Sequence, residues 1–340
     1  AVHQTYAPMV DVARDQRWGR NVEGAGEDVL LNNVLAAARV HGFQGDKGLD
    51  DPEAVLATAK HMAAYSAAIG GVEYNTTDMS EQTLRGVFLP PFRASVDAGA
   101  LAIMSAFNDV NGVPASGNRK LLTDILRGEW GFEGFVLSDY TSEQELVAHG
   151  FAEDARDAAR LAFNAGVDVS MVSGLYLEHL PGLVRSGEVS MARLDEAVRR
   201  VLNVKAALGL FDDPYRGTDP ERERAVVGAR QHVELAREAG RKSVVLLKND
   251  NSLLPLNKRQ KIALIGPFAD DVDNVWGPWS IWGMPERRVS LEAGFRAAMD
   301  DPSLLTIARG SGIEAPLNGG IEQAVAAARL GAQVTFVARL

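Results

Sequence analysis

The sequence of 340 residues contains no cysteine. Within these residues, disulfide bonds, zinc–thiolate sites and a cysteine nucleophile are therefore excluded. The absence leaves the compartment open, because periplasmic and cytosolic proteins can both do without thiols. Any chemistry that the chain performs must use other side chains.

Long apolar runs and an excess of positive charge are also missing. No uncharged apolar stretch reaches the roughly 18 residues of a membrane-spanning helix, so we expect no membrane insertion. The formal net charge is −10. Because phosphate binding needs clustered Lys and Arg, this charge argues against nucleic acid as a partner. A neutral substrate such as a sugar is compatible with it, and we predict neither a cofactor nor a metal site.

Short β-type runs alternate with helical periodicity up to about residue 210, which predicts a parallel α/β fold. The predicted strands are Thr5 to Val12, Val55 to Lys60, Leu101 to Ser105, Gly134 to Ser138 and Val167 to Met171. The predicted helices between and after them are Glu27 to Val40, Ser80 to Val96, Arg119 to Glu129, Ala152 to Ala165, Leu175 to Val184 and Met191 to Leu208. Such a sheet suggests a (β/α) barrel.

The length and the change of composition predict two domains. Five strand–helix units are fewer than the eight of a complete barrel, so we predict an incomplete (β/α)8 TIM-like barrel over residues 1–210, its N-terminal part lying upstream. A stretch rich in turn formers and charge predicts a linker over residues 211–230. Residues 231–340 are predicted to begin an α/β sandwich domain, with strands at Lys261 to Pro267 and Gln333 to Val337.

Polar side chains lie at or just after the carboxyl ends of four of the predicted barrel strands. These side chains are Asp11, the adjacent Lys60 and His61, Asn108, and Asp139. In a parallel barrel the active site is built at the carboxyl ends of the strands, so their convergence predicts a site on that rim.

Asp139 is the sharpest candidate, and it has two interpretations. A carboxylate at the end of an apolar strand needs a cation or a chemical role to compensate its desolvation. It could instead be structural and cap the next helix, since Thr141 and Ser142 resemble helix starters. The pair Lys60-His61 favours a functional role, because an ammonium and an imidazole can bind sugar hydroxyls.

Lys60 and Arg20 also leave alternatives open. Lys60 could form only an internal ion pair with Asp139, or act as a Schiff-base lysine on an aldolase-like barrel. Arg20 lies in the polar, glycine-rich segment 17–28, which could be a self-bonded loop that braces the rim. It could also direct its guanidinium group at substrate oxygens.

Several strings, in one continuous order, resemble glycoside hydrolase family 3, and most closely its bacterial periplasmic β-glucosidase branch. They are Ala7-Pro8-Met9-Val10-Asp11-Val12-Ala13-Arg14-Asp15, Arg17-Trp18-Gly19-Arg20, Lys60-His61, Glu73-Tyr74-Asn75-Thr76, Asp78-Met79-Ser80, Asn111-Gly112-Val113-Pro114-Ala115, Gly134-Phe135-Val136-Leu137-Ser138-Asp139, Gly209-Leu210-Phe211, Val244-Val245-Leu246-Leu247-Lys248-Asn249 and Ile265-Gly266-Pro267. The resemblance runs almost from end to end.

This resemblance implies an exo-acting retaining β-glucosidase that hydrolyses terminal non-reducing β-D-glucosyl residues through a covalent intermediate on Asp139. It implies that the terminal sugar is held by Arg20, Lys60 and His61, beside the pocket aromatic Phe107. Tyr140 is then expected at the entrance. It also implies a periplasmic or secreted protein that binds a β-glucoside or oligosaccharide.

Three tryptophans, at positions 276, 279 and 282, lie in a segment rich in glycine and proline within the second domain. Some family members clamp the next sugar between aromatic faces contributed by this domain. Glycine and proline between the rings favour a loop over a buried core position. Trp279 is our candidate for the site.

The sequence departs from the family pattern in ways that keep other functions open. Met62 stands where members usually have Phe. The resemblance places one sugar-binding aspartate upstream of residue 1, and the acid/base glutamate beyond residue 340. A β-xylosidase, an N-acetylglucosaminidase and an inactive sugar-binding fragment are therefore alternatives, although Met62-Ala63-Ala64 lacks the string typical of the N-acetylglucosaminidases. A homodimer could supply further loops to the site.

Overall fold

The computed structural model describes residues 2–276, 286, 288–330 and 334–337. The chain divides into two compact units, Ala1–Val227 and Gly228–Leu340. The predicted linker at 211–230 contains the helix Pro220–Val226. It also contains Arg216, which is buried and donates from Nη2 to the carbonyl of Ala54 at 3.2 Å. Among the described residues, no helix is long and apolar enough to cross a bilayer.

A parallel sheet forms the centre of the first unit. Its strands and those of a small antiparallel hairpin are, in chain order, β1 (Thr58–Met62), β2 (Ala102–Ser105), β3 (Asp109–Val110), β4 (Val113–Pro114) and β5 (Phe135–Leu137). The parallel order is β1-β2-β5, and β3 pairs with β4. Parallel bridges Met9–Lys60 and Leu137–Val169 extend the sheet on both sides. The five predicted strand segments therefore lie side by side in chain order, and the parallel α/β class is confirmed, whereas closure into a barrel stays a prediction.

Helices alternate with these strands along the chain and follow the last of them. They are α1 (Val29–Gln44), α2 (Glu81–Thr83), α3 (Pro90–Asp97), α4 (Ala155–Ala165), α5 (Leu175–Arg185), α6 (Met191–Ala207) and α7 (Pro220–Val226), with π-helical segments at Leu84–Phe88 and Lys120–Glu129. The prediction of one helix from Ser80 to Val96 was wrong in its continuity. Pro90 begins α3, because proline lacks the amide hydrogen that would continue the preceding turn.

Close packing fixes the position of β5, the strand that leads to Asp139. All four residues of β2 are buried, as expected of a strand covered on both faces. Gly134, just before β5, passes so close to the neighbouring chain that a Cβ atom there would lie 2.1 Å from the carbonyl oxygen of Leu101. No side chain fits at this position, so the glycine is required by the sheet.

A buried ion cluster ties β5 to the helices behind it. The carboxylate of Asp168 accepts hydrogen bonds from Arg127 at 2.6 Å and from Arg193 and Arg200 at 3.0 Å each. It also accepts the amide hydrogen of Val136, within β5, at 2.9 Å. Burial lowers the pKa of Arg127 to about 10, although the charge of Asp168 opposes this change. One fully buried carboxylate thus binds three guanidinium groups, and Arg200 is also paired with Glu196.

The second unit contains a smaller parallel sheet. Its strands are β6 (Ile262–Ile265), β7 (Leu305–Ala308) and β8 (Val334–Val337), in the order β7-β6-β8. Its helices are α8 (Arg230–Ser243), α9 (Leu291–Ala298) and α10 (Gly320–Arg329). The predicted strands at Lys261 to Pro267 and Gln333 to Val337 are present in shorter form, and the α/β class of this unit is also confirmed.

The ion cluster predicts a large effect of a small substitution. Asp168→Asn should lower the free energy of unfolding by about 3 kcal/mol, because it removes the buried charge that pairs with three partly buried arginines. Asp195→Asn, on the exposed face of α6, is the control and should change it by less than about 0.5 kcal/mol. Denaturant unfolding followed by circular dichroism measures both, and equal effects of the two variants would contradict the role given to Asp168.

Candidate active site

Asp139 begins the turn that follows β5. Its side chain is only 13% exposed, and its Oδ2 atom lies 3.3 Å from Nε2 of His61. Its Oδ1 atom accepts the amide hydrogen of Tyr140 at 2.7 Å. Thr141 has a left-handed backbone with φ of 58°, and its amide donates to the carbonyl of Met171 at 3.1 Å. The turn after the strand therefore holds one carboxylate oxygen and directs the other towards His61.

His61 is held between two carboxyl groups. Its Nδ1 atom lies 2.9 Å from Oδ2 of Asp11, and the same oxygen accepts the backbone amide hydrogen of His61 at 3.0 Å. Both side chains are buried. An ionised carboxylate can only accept, so Nδ1 carries a hydrogen and the ring cannot turn over without losing this bond. Asp11 thereby fixes the direction in which Nε2 points, which is towards Asp139.

Two cations lie beside this chain of three side chains. Arg20 pairs with Glu23 through two hydrogen bonds of 2.5 and 2.9 Å. Burial lowers the pKa of Lys60, and the charge of Arg20 lowers it further, whereas Asp139, Glu23 and Asp11 raise it. The ammonium group of Lys60 is thus within the electrostatic influence of Asp139 and of the Arg20–Glu23 pair. Such a mixed cluster can bind several hydroxyl groups of an uncharged ligand.

An aromatic cluster forms one wall of the site. The buried ring of Tyr65 lies 5.2 Å from the ring of His61 and 5.6 Å from those of Trp18 and Phe107. Its hydroxyl group donates to Glu73. Trp18, Tyr65 and Glu73 were not among the predicted site residues. The position of Tyr65, four residues after His61, was the available signal, but it is equally typical of a core aromatic.

The predicted site residues differ in how closely they approach Asp139. His61 contacts it, and Lys60 is coupled to it electrostatically. Phe107 lies behind Tyr65, with 8% of its surface exposed. Tyr140 is adjacent in sequence and is 59% exposed, as a residue at an entrance would be. Trp279 lies outside the described residues.

Asn108 and Met62 have structural positions. Asn108 is buried and donates to the carbonyls of Ala63 and Asp109 and to the hydroxyl of Thr77. Met62, at the position where the resembling family has Phe, is fully buried within the main core. The strand-end pattern therefore marked one residue, Asn108, that braces the chain instead of facing Asp139.

A second carboxyl group, on Glu145, lies near Asp139 and was not predicted. Burial raises its pKa to about 7, with further contributions from the charges of Asp139 and Glu143. Glu143 itself is buried and accepts from the hydroxyls of Ser170 and Ser173. The sequence gives no signal for Glu145, because an acidic residue in a short helical turn is usually solvated.

Comparison with known proteins identifies the family of the chain. Residues 1–204 match the glycosyl hydrolase family 3 N-terminal domain, and residues 244–338 match the C-terminal domain of the same family. The chain therefore belongs to glycosyl hydrolase family 3, as the sequence resemblance predicted.

Individual relatives are long proteins with β-glycosidase names. The chain is 47% identical to the periplasmic beta-glucosidase of Salmonella typhimurium over 92% of its own length and 41% of that protein's. It is 36% identical to a beta-xylosidase of Formosa agariphila, over 99% of its own length and 48% of that protein's. The beta-glucosidase of Listeria innocua, solved in complex with glucose, is 40% identical with a TM-score of 0.89, over 98% and 46% of the two chains. The chain thus spans less than half the length of these relatives.

The raised pKa of Glu145 predicts a pH-dependent stability. A pKa raised from 4.5 to about 7 stabilises the fold below pH 4.5, and this contribution is lost as the pH rises through 7. Glu145→Gln removes this ionisable group. The free energy of unfolding of the variant, relative to that of the parent, should therefore rise by about 1 kcal/mol between pH 4.5 and pH 8, after allowance for solvent screening.

Thermal unfolding midpoints at the two pH values measure this difference. The matched control is Glu153→Gln, an exposed position a few residues further along the chain. Its midpoint relative to the parent should be the same at both pH values. If the difference in midpoint between Glu145→Gln and the parent is the same at both pH values, burial does not destabilise the ionised carboxyl group of Glu145.

Proposed function

We propose that this chain carries the nucleophile and the sugar-binding wall of an exo-acting retaining β-glucosidase, which removes terminal non-reducing β-D-glucosyl residues. The observation that carries the proposal is the row Asp11–His61–Asp139, in which two buried side chains lead to a partly exposed carboxylate at the rim of the sheet. A carboxylate held in this way suits attack on an anomeric carbon. The names of the relatives support the substrate class.

Asp139 is the proposed nucleophile. Its Oδ2 atom attacks the anomeric carbon, the bond to the leaving oxygen breaks with its electron pair, and a glycosyl ester forms. Water then attacks the same carbon and releases Asp139, so that two inversions retain the configuration. Activated aryl leaving groups depart with little protonation, so the first step can be tested with them.

Arg20, Lys60 and His61 are the proposed ligands of the terminal sugar. Lys60 and Arg20 carry charged donors, which make stronger hydrogen bonds to hydroxyl oxygens than neutral donors do. His61 is buried and cannot move without breaking its bond to Asp11. A wall of rigid and buried groups favours one terminal residue over an internal segment of a chain, which means exo action. Phe107 would support this wall through Tyr65, and Tyr140 would lie at the entrance.

A β-xylosidase is the second candidate, because beta-xylosidase is the name of a relative that covers almost the whole chain. Xylose lacks the hydroxymethyl group of glucose, so a site built for that group loses contacts with a xyloside. The ratio of kcat/KM for p-nitrophenyl β-glucoside and β-xyloside decides between the two. We place the protein in the periplasm or outside the cell, as the name of the Salmonella relative suggests.

The nucleophile is tested by substitution and chemical rescue. Asp139→Ala should lower kcat/KM for an activated aryl β-glucoside by at least about 1,000-fold, because no covalent intermediate can form. Sodium azide should restore turnover and give the α-glucosyl azide, since the small anion attacks in the vacated space. Asp195→Asn is the control and should retain parental activity. Parental activity of Asp139→Ala would exclude this residue, and glucose binding by an inactive parent would favour a sugar-binding fragment.

Asp11 is proposed to position His61, so its substitution should affect activity differently from that of Asp139. Asp11→Asn should lower kcat by about 10- to 100-fold while the far-UV spectrum is retained, because the ring of His61 loses the bond that orients it. The pH profile of kcat should also change, since the partner of Nδ1 is then neutral. A lower thermal midpoint with an unchanged pH profile would contradict positioning and indicate a purely structural role.

A further inference from the structure

A buried tyrosine, Tyr65, contacts several of the proposed sugar-binding groups from behind. It is fully buried, so it does not face a ligand itself. The centre of its ring lies 5.2 Å from that of His61, and Cζ of Arg20 lies 5.9 Å from it. The ring of Phe107 lies 5.6 Å away. One ring therefore contacts side chains from three separate segments of the site.

The contacts of Tyr65 restrain the two cationic or titratable ligands. The rings of Tyr65 and His61 meet at 72°, the edge-to-face arrangement that aromatic pairs prefer. The guanidinium group of Arg20 is within the distance of about 6 Å at which the ring of a tyrosine attracts a cation. Asp11 bonds one nitrogen of His61, and Glu23 pairs with Arg20. The tyrosine ring adds a second restraint on each ligand.

Tyr65 is itself held by Glu73. Its hydroxyl group donates to Oε2 of Glu73. Burial raises the pKa of Tyr65 and the hydrogen bond to Glu73 raises it further, so the hydroxyl group stays protonated and remains a donor. Among the described residues, the buried Oε1 atom of Glu73 has no hydrogen-bond partner. Such a group is costly, and a neutral acceptor would hold the hydroxyl without that cost. The carboxylate is therefore better explained by function than by stability.

The segment that carries Glu73 is fixed in place. Gly71, with φ of 69°, approaches the neighbouring chain so closely that a Cβ atom there would lie 2.6 Å from the backbone nitrogen of Trp18. The amide of Ile69 donates to the carbonyl of Thr76 at 3.0 Å and closes the loop on the other side of Glu73. The acceptor of the tyrosine hydroxyl is thus anchored by its own backbone.

We propose that Glu73, acting through Tyr65, is a positioning residue for the sugar: it fixes the ring that orients His61 and Arg20. This inference rests on the proposed function, because the sugar is the ligand that these two side chains bind. Loss of the hydrogen bond between Glu73 and Tyr65 should loosen both ligands and weaken sugar binding without unfolding the chain.

A double-mutant cycle on glucose binding tests the pair without depending on turnover. Tyr65→Phe removes the hydroxyl group and keeps the ring, whereas Glu73→Leu removes the acceptor. Each should raise the dissociation constant of glucose, measured by calorimetry with the full chain, by about 10-fold. The double variant should lose no more than the weaker-binding single variant, because both substitutions remove the same bond. Glu73→Gln keeps an acceptor and should remain within about 3-fold of the parent.

The matched control is Phe92→Leu, because Phe92 is a fully buried aromatic residue of the main core. It should lower the thermal midpoint and leave the dissociation constant of glucose unchanged. The same pattern in Tyr65→Phe and Glu73→Leu would indicate a purely structural role and overturn the proposal. A double variant whose loss is the product of the two single losses would also overturn it.

A second measurement needs no ligand. In chain labelled with ¹³C-histidine, the imidazole C–H signals of His61 are identified by their loss in His61→Asn. They should be single and sharp in the parent, and broadened or split in Tyr65→Phe because the ring of His61 becomes mobile. Unchanged signals would overturn the positioning of His61. Failure of the parent to bind glucose would instead overturn the proposed function, and the signals of His61 distinguish the two failures.

Discussion

The contact between His61 and its two carboxyl groups is the constraint on which the site depends. Asp11 follows the first strand segment, His61 lies in β1, and Asp139 follows β5. Three separate segments of the sheet thus bring their polar side chains into one row, in which Asp11 and His61 are buried and Asp139 is 13% exposed. Buried polar groups are costly unless they are paired, and two hydrogen bonds to Oδ2 of Asp11 pair the backbone and the ring of His61, so little displacement of these two segments is tolerated.

The remainder of the first unit keeps these strand ends in register. Gly134 allows β5 to approach Leu101, and Asp168 joins β5 to three arginines. Tyr65 packs against His61 from the other side. The side chain of Asp168, which pairs with these arginines, is fully buried, whereas that of Asp139, at the end of β5, is 13% exposed. The contacts of Asp168 and Gly134 thus fix the position of β5, while Asp139 at its end stays accessible to solvent.

The sequence predicted the sheet better than it predicted the site. Apolar runs with turn formers between them are a direct signal of buried parallel strands, so all five segments were found in order. Local patterns do not indicate which distant side chains contact each other, and Asp11 and His61 are 50 residues apart. Strand-end polarity marked both residues, and also Asn108, which is structural. Glu145 was missed because its partial burial comes from tertiary packing that no local pattern records. The roles of the site residues came from family resemblance.

The most direct test is to trap the intermediate. A 2-deoxy-2-fluoro-β-glucoside with a dinitrophenolate leaving group forms the glycosyl ester without help from an acid and breaks it down slowly. Incubation with the chain, followed by proteolysis and mass spectrometry of the peptides, locates the attached sugar. If Asp139 is the nucleophile, a single modified peptide carries the fluoroglucosyl group on Asp139, and the Asp139→Ala variant is not modified. A label on another carboxylate, or on Lys60, would contradict it.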